Sequence, residues 1–253
     1  MRTVLVTRPQ GEAERWVQQL QAQGLAAQAL PLMAIEPVID AAARQALWQG
    51  LPQWSALMFV SGNAVAQFFG PGAGAWPAGV RALAPGPGTA RALVRCGVPP
   101  ECIDAPPEDA PQFDSEALWA VMGERDWRGR SVCVVRGQGA REARSSGRDW
   151  LAQQLQAAGA RVDDVAVYRR TVPDWTPAQH QRMQAAQTDG SLWLFSSSEA
   201  VVNLPAGLRW HAAQALATHP RIAQAARQAG FGRVQETRPA LADVVASIKS
   251  GPP

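Results

Sequence analysis

The side chains best suited to holding an anion come in short polar turns, each directly after an apolar run. The turns are Thr7-Arg8-Pro9, Ser61-Gly62-Asn63, Gly86-Pro87-Gly88-Thr89, Arg136-Gly137, Ser196-Ser197-Ser198 and Thr218-His219. If each run is a parallel strand, the turns lie at the carboxyl edge of a sheet, where ligands bind in open α/β folds. A helix after each turn would offer free backbone N–H groups to carboxylates or phosphates. The same residues are also ordinary helix N-caps, so any single turn has a purely structural interpretation.

Motifs for metals, nucleotides and hydrolytic triads are absent from the sequence. There is no His-Glu-x-x-His, Cys-x-x-Cys or Gly-x-Ser-x-Gly. Residues 86–89 lack the lysine of a P-loop, and Glu142 stands where a dinucleotide-binding loop needs its third glycine. His180 and His211 fit solvated helix positions, whereas His219 lies in a turn suited to a ligand contact. We therefore expect no metal site, and the two glycine turns are weak as nucleotide-binding motifs.

The composition indicates a globular protein with one large domain or two small ones. Of the 253 residues, 47% are hydrophobic and 18% charged, which excludes wholesale disorder. No apolar run reaches the roughly 18 residues of a membrane span, so we expect no membrane partner. The net charge is +3, but the arginines are scattered, so we expect no nucleic acid either. Three cysteines and no opening secretory signal predict reduced thiols in a cytoplasmic protein.

Three blocks of the sequence recur in the same order. VLVTRPQGEAERW is echoed by VCVVRGQGAREAR, LMFVSGNAVAQFF by WLFSSSEAVVNLP, and ALAPGPGTARALVRCGV by ALATHPRIAQAARQAGF. The echoes come 128, 136 and 133 residues later. Three collinear blocks at nearly constant spacing predict two structurally similar halves.

Each block consists of a short aliphatic run, a turn and a helical pattern. Strands are predicted at residues 3–7, 56–60, 80–84, 132–135, 161–167, 192–195 and 214–217. Gly24 is predicted to stop the first helix, and Thr89 to open a helix that ends at Gly97. Strands that alternate with helices predict an α/β protein with mainly parallel sheets.

Two extended segments that end in proline, 30–37 and 165–173, occupy equivalent places in the halves and could pair as a two-stranded connector. One lobe would then be discontinuous, with residues 1–35 and 172–253, and the other central, with residues 38–165. Alternatively, two sequential domains divide near residues 126–130. The pattern alone leaves both arrangements open.

Several of these stretches, taken together, resemble the uroporphyrinogen-III synthase family. They are VLVTRP, LPLMAIEP, LMFVSGNAV, ALAPGPGTARAL, DSEALW, VCVVRGQGARE, VAVYRRTVP and LFSSSEAV. The resemblance implies two flavodoxin-like, doubly wound lobes joined by a two-stranded β connector, with the site in a cleft between them. It also implies that linear hydroxymethylbilane, a tetrapyrrole with eight carboxylates, loses water and closes with ring D inverted. The resemblance further implies a monomer that acts without a cofactor. Whether the protein makes transient contact with the upstream deaminase is left open.

The resemblance also suggests site residues. Tyr168, the only tyrosine, occupies the position of the family's tyrosine and is the candidate catalytic residue, unless it merely packs between lobes. Where the first half has Gly-Pro-Gly-Thr, the second half has His219-Pro220-Arg221-Ile222. Some family members have a second threonine turn at this position, and Arg221 could hold a carboxylate in its place. The full set of candidate substrate-binding residues is Arg8, Ser61, Gly62, Asn63, Gly86, Thr89, Arg136, Gly137, Ser196, Ser197, His219 and Arg221.

Two other classes of function fit parts of this pattern. A non-enzymatic two-lobed protein that binds an anionic small molecule would use the same turns, because fold does not determine function. A nucleic-acid-associated module is suggested only by the pI of about 9.1 and the arginine content. A family member that has lost its activity would have the same sequence features.

Overall fold

The computed structural model of the chain describes residues 2–70, 73–107, 109–110, 112–138 and 146–250. The chain divides into two compact units, Met1–Ala34 with Thr171–Pro253 and Ile35–Arg170. Residues 126–130 lie inside the second unit, directly before a strand. Within the described ranges, no helix is long and apolar enough to cross a membrane.

Strands and helices alternate along most of the chain. In chain order the elements are β1 (Val4–Val6), α1 (Gln10–Ala22), β2 (Ala27–Ala29), β3 (Ala34–Pro37), α2 (Ala41–Gln49), β4 (Ala56–Phe59), α3 (Gly62–Phe69), β5 (Arg81–Leu83), α4 (Pro87–Arg95), β6 (Ile103–Asp104), α5 (Ser115–Met122), β7 (Ser131–Gln138), α6 (Ser146–Ala157), β8 (Arg161–Thr171), α7 (Pro177–Ala185), β9 (Leu192–Phe195), α8 (Ser198–Val202), β10 (Gln214–Ala217), α9 (Pro220–Gln228), β11 (Arg233–Glu236) and α10 (Leu241–Ser250). Short 3₁₀ turns at Leu51–Gln53 and Pro100–Cys102 precede β4 and β6.

The discontinuous unit is built on a five-stranded parallel sheet. Its strand order is β11-β10-β9-β1-β2. Counted along this unit alone, that order is 2-1-3-4-5, the doubly wound order of flavodoxin-like sheets. The order reverses between β1 and β9, which is the point where such sheets bind ligands.

The continuous unit has a six-stranded, mostly parallel sheet in the order β3-β8-β7-β4-β5-β6. Strands β7, β8, β4, β5 and β6 take the places that β1, β2, β9, β10 and β11 take in the other sheet. The three repeated sequence blocks begin in β1 and β7, in β9 and β4, and in β10 and β5. The blocks therefore occupy equivalent positions in two similar sheets, and the predicted α/β class with parallel sheets is confirmed.

Alternate residues of the central strands face two different core clusters. In β9, Leu192 and Leu194 pack in one cluster, while Trp193 and Phe195 pack in the other. Strand β4 alternates in the same way between two clusters of its own unit. All four residues of each strand are buried, as expected for parallel strands covered by helices on both faces.

The extended segment 30–37 is a strand only in its second half. Strand β3 begins at Ala34 and lies beside β8 at the edge of the six-stranded sheet. Before it, the Leu30 and Leu32 N–H groups donate to the Val6 and Thr7 carbonyls at 2.9 and 3.2 Å. Pro31 lies between them and has no N–H to donate, so regular pairing stops there.

Candidate functional site

Polar residues follow three neighbouring strands of the five-stranded sheet. Thr7, Ser196 and Thr218 come directly after β1, β9 and β10, at one edge of the sheet. The Thr7 hydroxyl is buried and donates to the Leu194 carbonyl at 2.8 Å. This bond ties the ends of β1 and β9 together at the point where the strand order reverses.

Arg8 follows Thr7 at this edge and is a largely buried cation. Its guanidinium carbon lies 4.5 Å from the centroid of the Trp16 ring, and Nη1 donates to Glu12 at 3.2 Å. Its Nε is buried and has no hydrogen-bond partner among the described residues. Burial lowers the pKa of Arg8, and the Glu12 carboxylate opposes that shift. The side chain therefore carries a charge that its surroundings only partly compensate.

The serine and histidine turns of this edge act first as helix caps. Ser197 is the N-cap of α8 and its hydroxyl accepts from the Glu199 N–H at 3.2 Å, while Ser196 lies in the bend before it. His219 caps α9, because its Nδ1 accepts from the Arg221 N–H at 3.1 Å. The side chains of His219 and Arg221 are both exposed, so neither is committed to the core.

The six-stranded sheet has a corresponding edge after β4, β5 and β7. Ser61 is the N-cap of α3, as its position predicts, and its Oγ accepts from the Ala64 N–H at 3.2 Å. Gly62 and Asn63 form the first turn of that helix and are half-buried. The helix begins here because an N-cap hydroxyl satisfies one of the free N–H groups of the first turn.

Three sequence predictions need correction in detail. Thr89 does not open or cap α4: Gly86 is the N-cap, because Pro87 already takes the first helical position, and Thr89 is buried in the first turn. Arg136 and Gly137 are not in a turn after the strand but inside β7, which continues to Gln138 beside the long β8. His211 lies in a turn rather than a helix, although it is exposed as expected. The end of the block beyond β7, residues 139–142, lies outside the described residues.

Gly137 makes room for the aromatic ring of Tyr168. The two residues are paired across β7 and β8, at a register shift between Arg136 and Gly137. A Cβ atom on Gly137 would lie 2.4 Å from two carbons of the ring, Cε2 and Cζ. A glycine is therefore required here for the ring to lie across β7. Tyr168 is fully buried in the core of its unit.

The Tyr168 hydroxyl belongs to a small hydrogen-bond network at the carboxyl ends of the strands. It lies 3.1 Å from the Ser61 Oγ, across 107 residues of sequence. The Arg170 Nη2 donates to the same phenol oxygen at 3.3 Å, and the Arg170 guanidinium carbon lies 5.7 Å from the ring centroid. Two predicted site residues, Ser61 and Tyr168, are thus in direct contact.

Arg136, one of the predicted carboxylate ligands, is paired within its own sheet. Its Nε donates to the Asp164 Oδ2 at 2.8 Å, and both side chains are substantially exposed. An exposed pair of this kind contributes little to stability, so the fold does not depend on Arg136 keeping this partner.

Arg170 is the functional candidate that the sequence reasoning missed. It stands two residues after Tyr168 in the same strand, so both side chains lie on one face of the sheet. That spacing is the signal that could have identified it. Within the described residues, no group of three or more His, Cys, Asp or Glu side chains is arranged to hold a metal ion.

A family model described as uroporphyrinogen-III synthase HemD matches residues 14–246. The chain belongs to the uroporphyrinogen-III synthase family.

Solved structures of this family share the fold. A mutant uroporphyrinogen III synthase from the extremely thermophilic bacterium Thermus thermophilus is 21% identical, with 98% of each chain covered and a TM-score of 0.54. A uroporphyrinogen-III synthetase from Helicobacter pylori is 15% identical, with 98% of each chain covered and a TM-score of 0.58. At these identities the structural likeness shows the fold, and the assignment to the synthase family rests on the family match.

Proposed function

We propose that this protein is an active uroporphyrinogen-III synthase, a lyase that removes water from hydroxymethylbilane and closes the macrocycle with ring D inverted. The observation that carries the proposal is the family match over residues 14–246. Nothing in the described structure favours the alternative of a binding protein without activity.

The chemistry required is mainly positioning. The bilane also closes spontaneously, without inversion, to the type I isomer. An enzyme must therefore hold the chain so that ring D meets the activated end of ring A in the inverted orientation. It must also stabilise the departing hydroxyl oxygen and exclude competing geometries.

The polar edges of the two units are the proposed substrate-binding surfaces. The substrate carries eight carboxylates, and the N-termini of α3, α4 and α9 offer free N–H groups to such anions. Arg8, Arg136 and Arg221 are the proposed ionic contacts. Tyr168 and Ser61 provide the hydroxyl groups that we propose assist the loss of water, because these groups are hydrogen-bonded to each other at the carboxyl end of the six-stranded sheet.

We expect the reaction to need neither a metal nor a cofactor, and the protein to act as a cytoplasmic monomer. Exhaustive dialysis against a chelator should then leave the rate of type III formation unchanged. Any contact with the upstream deaminase should be transient, and would show as a faster coupled rate without a stable complex in gel filtration.

A coupled assay tests the function directly. Porphobilinogen and a hydroxymethylbilane-forming deaminase are incubated with and without the protein, and the oxidised uroporphyrin isomers are separated by chromatography. Type III should dominate only when the protein is present. Persistence of type I at a stoichiometric amount of folded protein would overturn the proposed function.

A further inference from the structure

The donors around the Tyr168 oxygen, which are the Arg170 guanidinium and the phenol proton itself, determine the direction of its hydrogen bonds. A guanidinium group only donates, so the Tyr168 oxygen accepts from Arg170 at 3.3 Å. The phenol proton is buried and needs an acceptor of its own. Its partner is the Ser61 Oγ at 3.1 Å. The network therefore runs from Arg170 through Tyr168 to Ser61.

Ser61 is left with a free proton at the accessible end of this network. Its Oγ accepts from Tyr168 and also from the Ala64 N–H at 3.2 Å, which uses both lone pairs. No described residue accepts the Ser61 proton. Ser61 is half-buried, whereas Tyr168 is not exposed at all.

We propose that Ser61, not Tyr168, is the hydroxyl that touches the substrate, and that Tyr168 and Arg170 are positioning residues that act through it. The inference rests on the proposed function. Arg170 polarises the phenol, the phenol donates to Ser61, and Ser61 donates to the oxygen of the substrate's hydroxymethyl group. Donation into Ser61 makes its own O–H a better donor, because hydrogen bonds in a chain polarise one another.

Water can be lost from the hydroxymethyl group without any proton leaving the protein. When the C–O bond of the hydroxymethyl group breaks, both electrons stay on the oxygen, and the hydrogen bond from Ser61 strengthens as negative charge builds there. The pyrrole N–H of the same ring supplies the second hydrogen of the released water, and Ser61 keeps its own proton. The contribution of Ser61 is therefore expected in kcat rather than in KM.

The test is a set of variants assayed for type III formation from hydroxymethylbilane. Ser61→Ala and Ser61→Gly should each lower kcat about tenfold with little change in KM, which corresponds to the loss of one hydrogen bond. Ser61→Gly keeps helix α3 nearly as stable as the wild type, so it separates the lost hydroxyl from the lost cap. Ser61→Thr restores a hydroxyl and should recover most of the rate. Tyr168→Phe should lower kcat by a smaller factor, about threefold, without abolishing activity.

The double variant Ser61→Ala/Tyr168→Phe distinguishes the two roles. If Tyr168 acts only through Ser61, the double variant is no slower than Ser61→Ala alone. A matched control is Asp40→Ala, which removes the N-cap of α2 in the same unit, where the Asp40 carboxylate accepts from the Ala43 N–H at 2.8 Å. That variant should lose similar stability and keep its kcat.

Two results would overturn the inference while leaving the proposed function intact. One is a Ser61→Gly variant with the wild-type kcat. The other is a further fall in kcat when Tyr168→Phe is added to Ser61→Ala, which would place the phenol itself on the substrate. If the wild-type protein forms no excess of type III, the proposed function fails first and the inference falls with it.

Discussion

The close approach of Gly137 to Tyr168 leads to a quantitative prediction for Gly137→Ala. The new Cβ would lie 2.4 Å from the Cε2 and Cζ atoms of the ring, more than 1 Å inside the roughly 3.5 Å of a favourable carbon contact. The φ angle at Gly137 is not positive, so the backbone itself accepts an alanine. The cost is therefore one of packing, because the buried ring has to move.

The size of this effect follows from two terms. Overpacking a well-filled core costs about 1–3 kcal/mol, and loss of the hydrogen bond between Tyr168 and Ser61 adds about 1 kcal/mol. We expect Gly137→Ala to be destabilised by about 2–4 kcal/mol, which corresponds to a Tm lower by roughly 5–15 °C for a protein of this size. Urea unfolding followed by circular dichroism, with calorimetry for Tm, measures both quantities.

Two further variants decide whether the explanation is right. In Gly88→Ala the added Cβ meets nothing within 4 Å and lies in the first turn of α4, so stability should rise by up to about 1 kcal/mol. In a Tyr168→Ala background the ring is gone, and Gly137→Ala should cost less than about 0.5 kcal/mol. An unchanged penalty in that background, or wild-type stability for Gly137→Ala, would refute the reasoning.

Three more predictions concern ionisable groups. Burial alone would raise the pKa of Asp104, but hydrogen bonds from two arginines outweigh burial and lower that pKa. The ionised Asp104 carboxylate therefore stabilises the fold above the ordinary carboxyl range near pH 4, and this stabilisation is lost as the pH falls. Asp104→Asn should therefore cost about 2 kcal/mol in urea unfolding at pH 7 and progressively less towards pH 3, and a pH-independent difference would contradict this. Burial, with a smaller effect of two aspartates, raises the pKa of Cys133 to about 12. Iodoacetamide at pH 8 should therefore label the exposed Cys96 and leave the buried Cys133 unmodified until the protein unfolds. Peptide mass spectrometry would measure the labelling of each cysteine. Arg8→Met keeps an apolar stem over Trp16 and removes a poorly compensated charge, so the free energy of unfolding should be unchanged or higher. Because Arg8 is a proposed carboxylate contact, KM for the bilane should rise. An unchanged KM would remove Arg8 from the proposed substrate contacts.

Much of the fold follows from local patterns in the sequence. The strands at Leu192–Phe195 and Gln214–Ala217 are predicted to the residue, because each is a short aliphatic run between clear turn signals. Ser61 is predicted as a cap, and Gly24 as a helix stop, since both depend on the residue's own chemistry. Where a neighbouring strand extends the pairing, as in β7 beside β8, the local pattern predicts too short an element.

The sequence by itself determined which residue types stand at the carboxyl edges of two similar parallel sheets, because strand ends, turns and caps are encoded by neighbours in the chain. Only the tertiary structure decided which of those residues meet. Tyr168 reaches Ser61 because β8, β7 and β4 are adjacent in the sheet and because Gly137 has no side chain in the ring's path. Strand order and the space between side chains depend on packing over the whole unit, and no local sequence pattern specifies them.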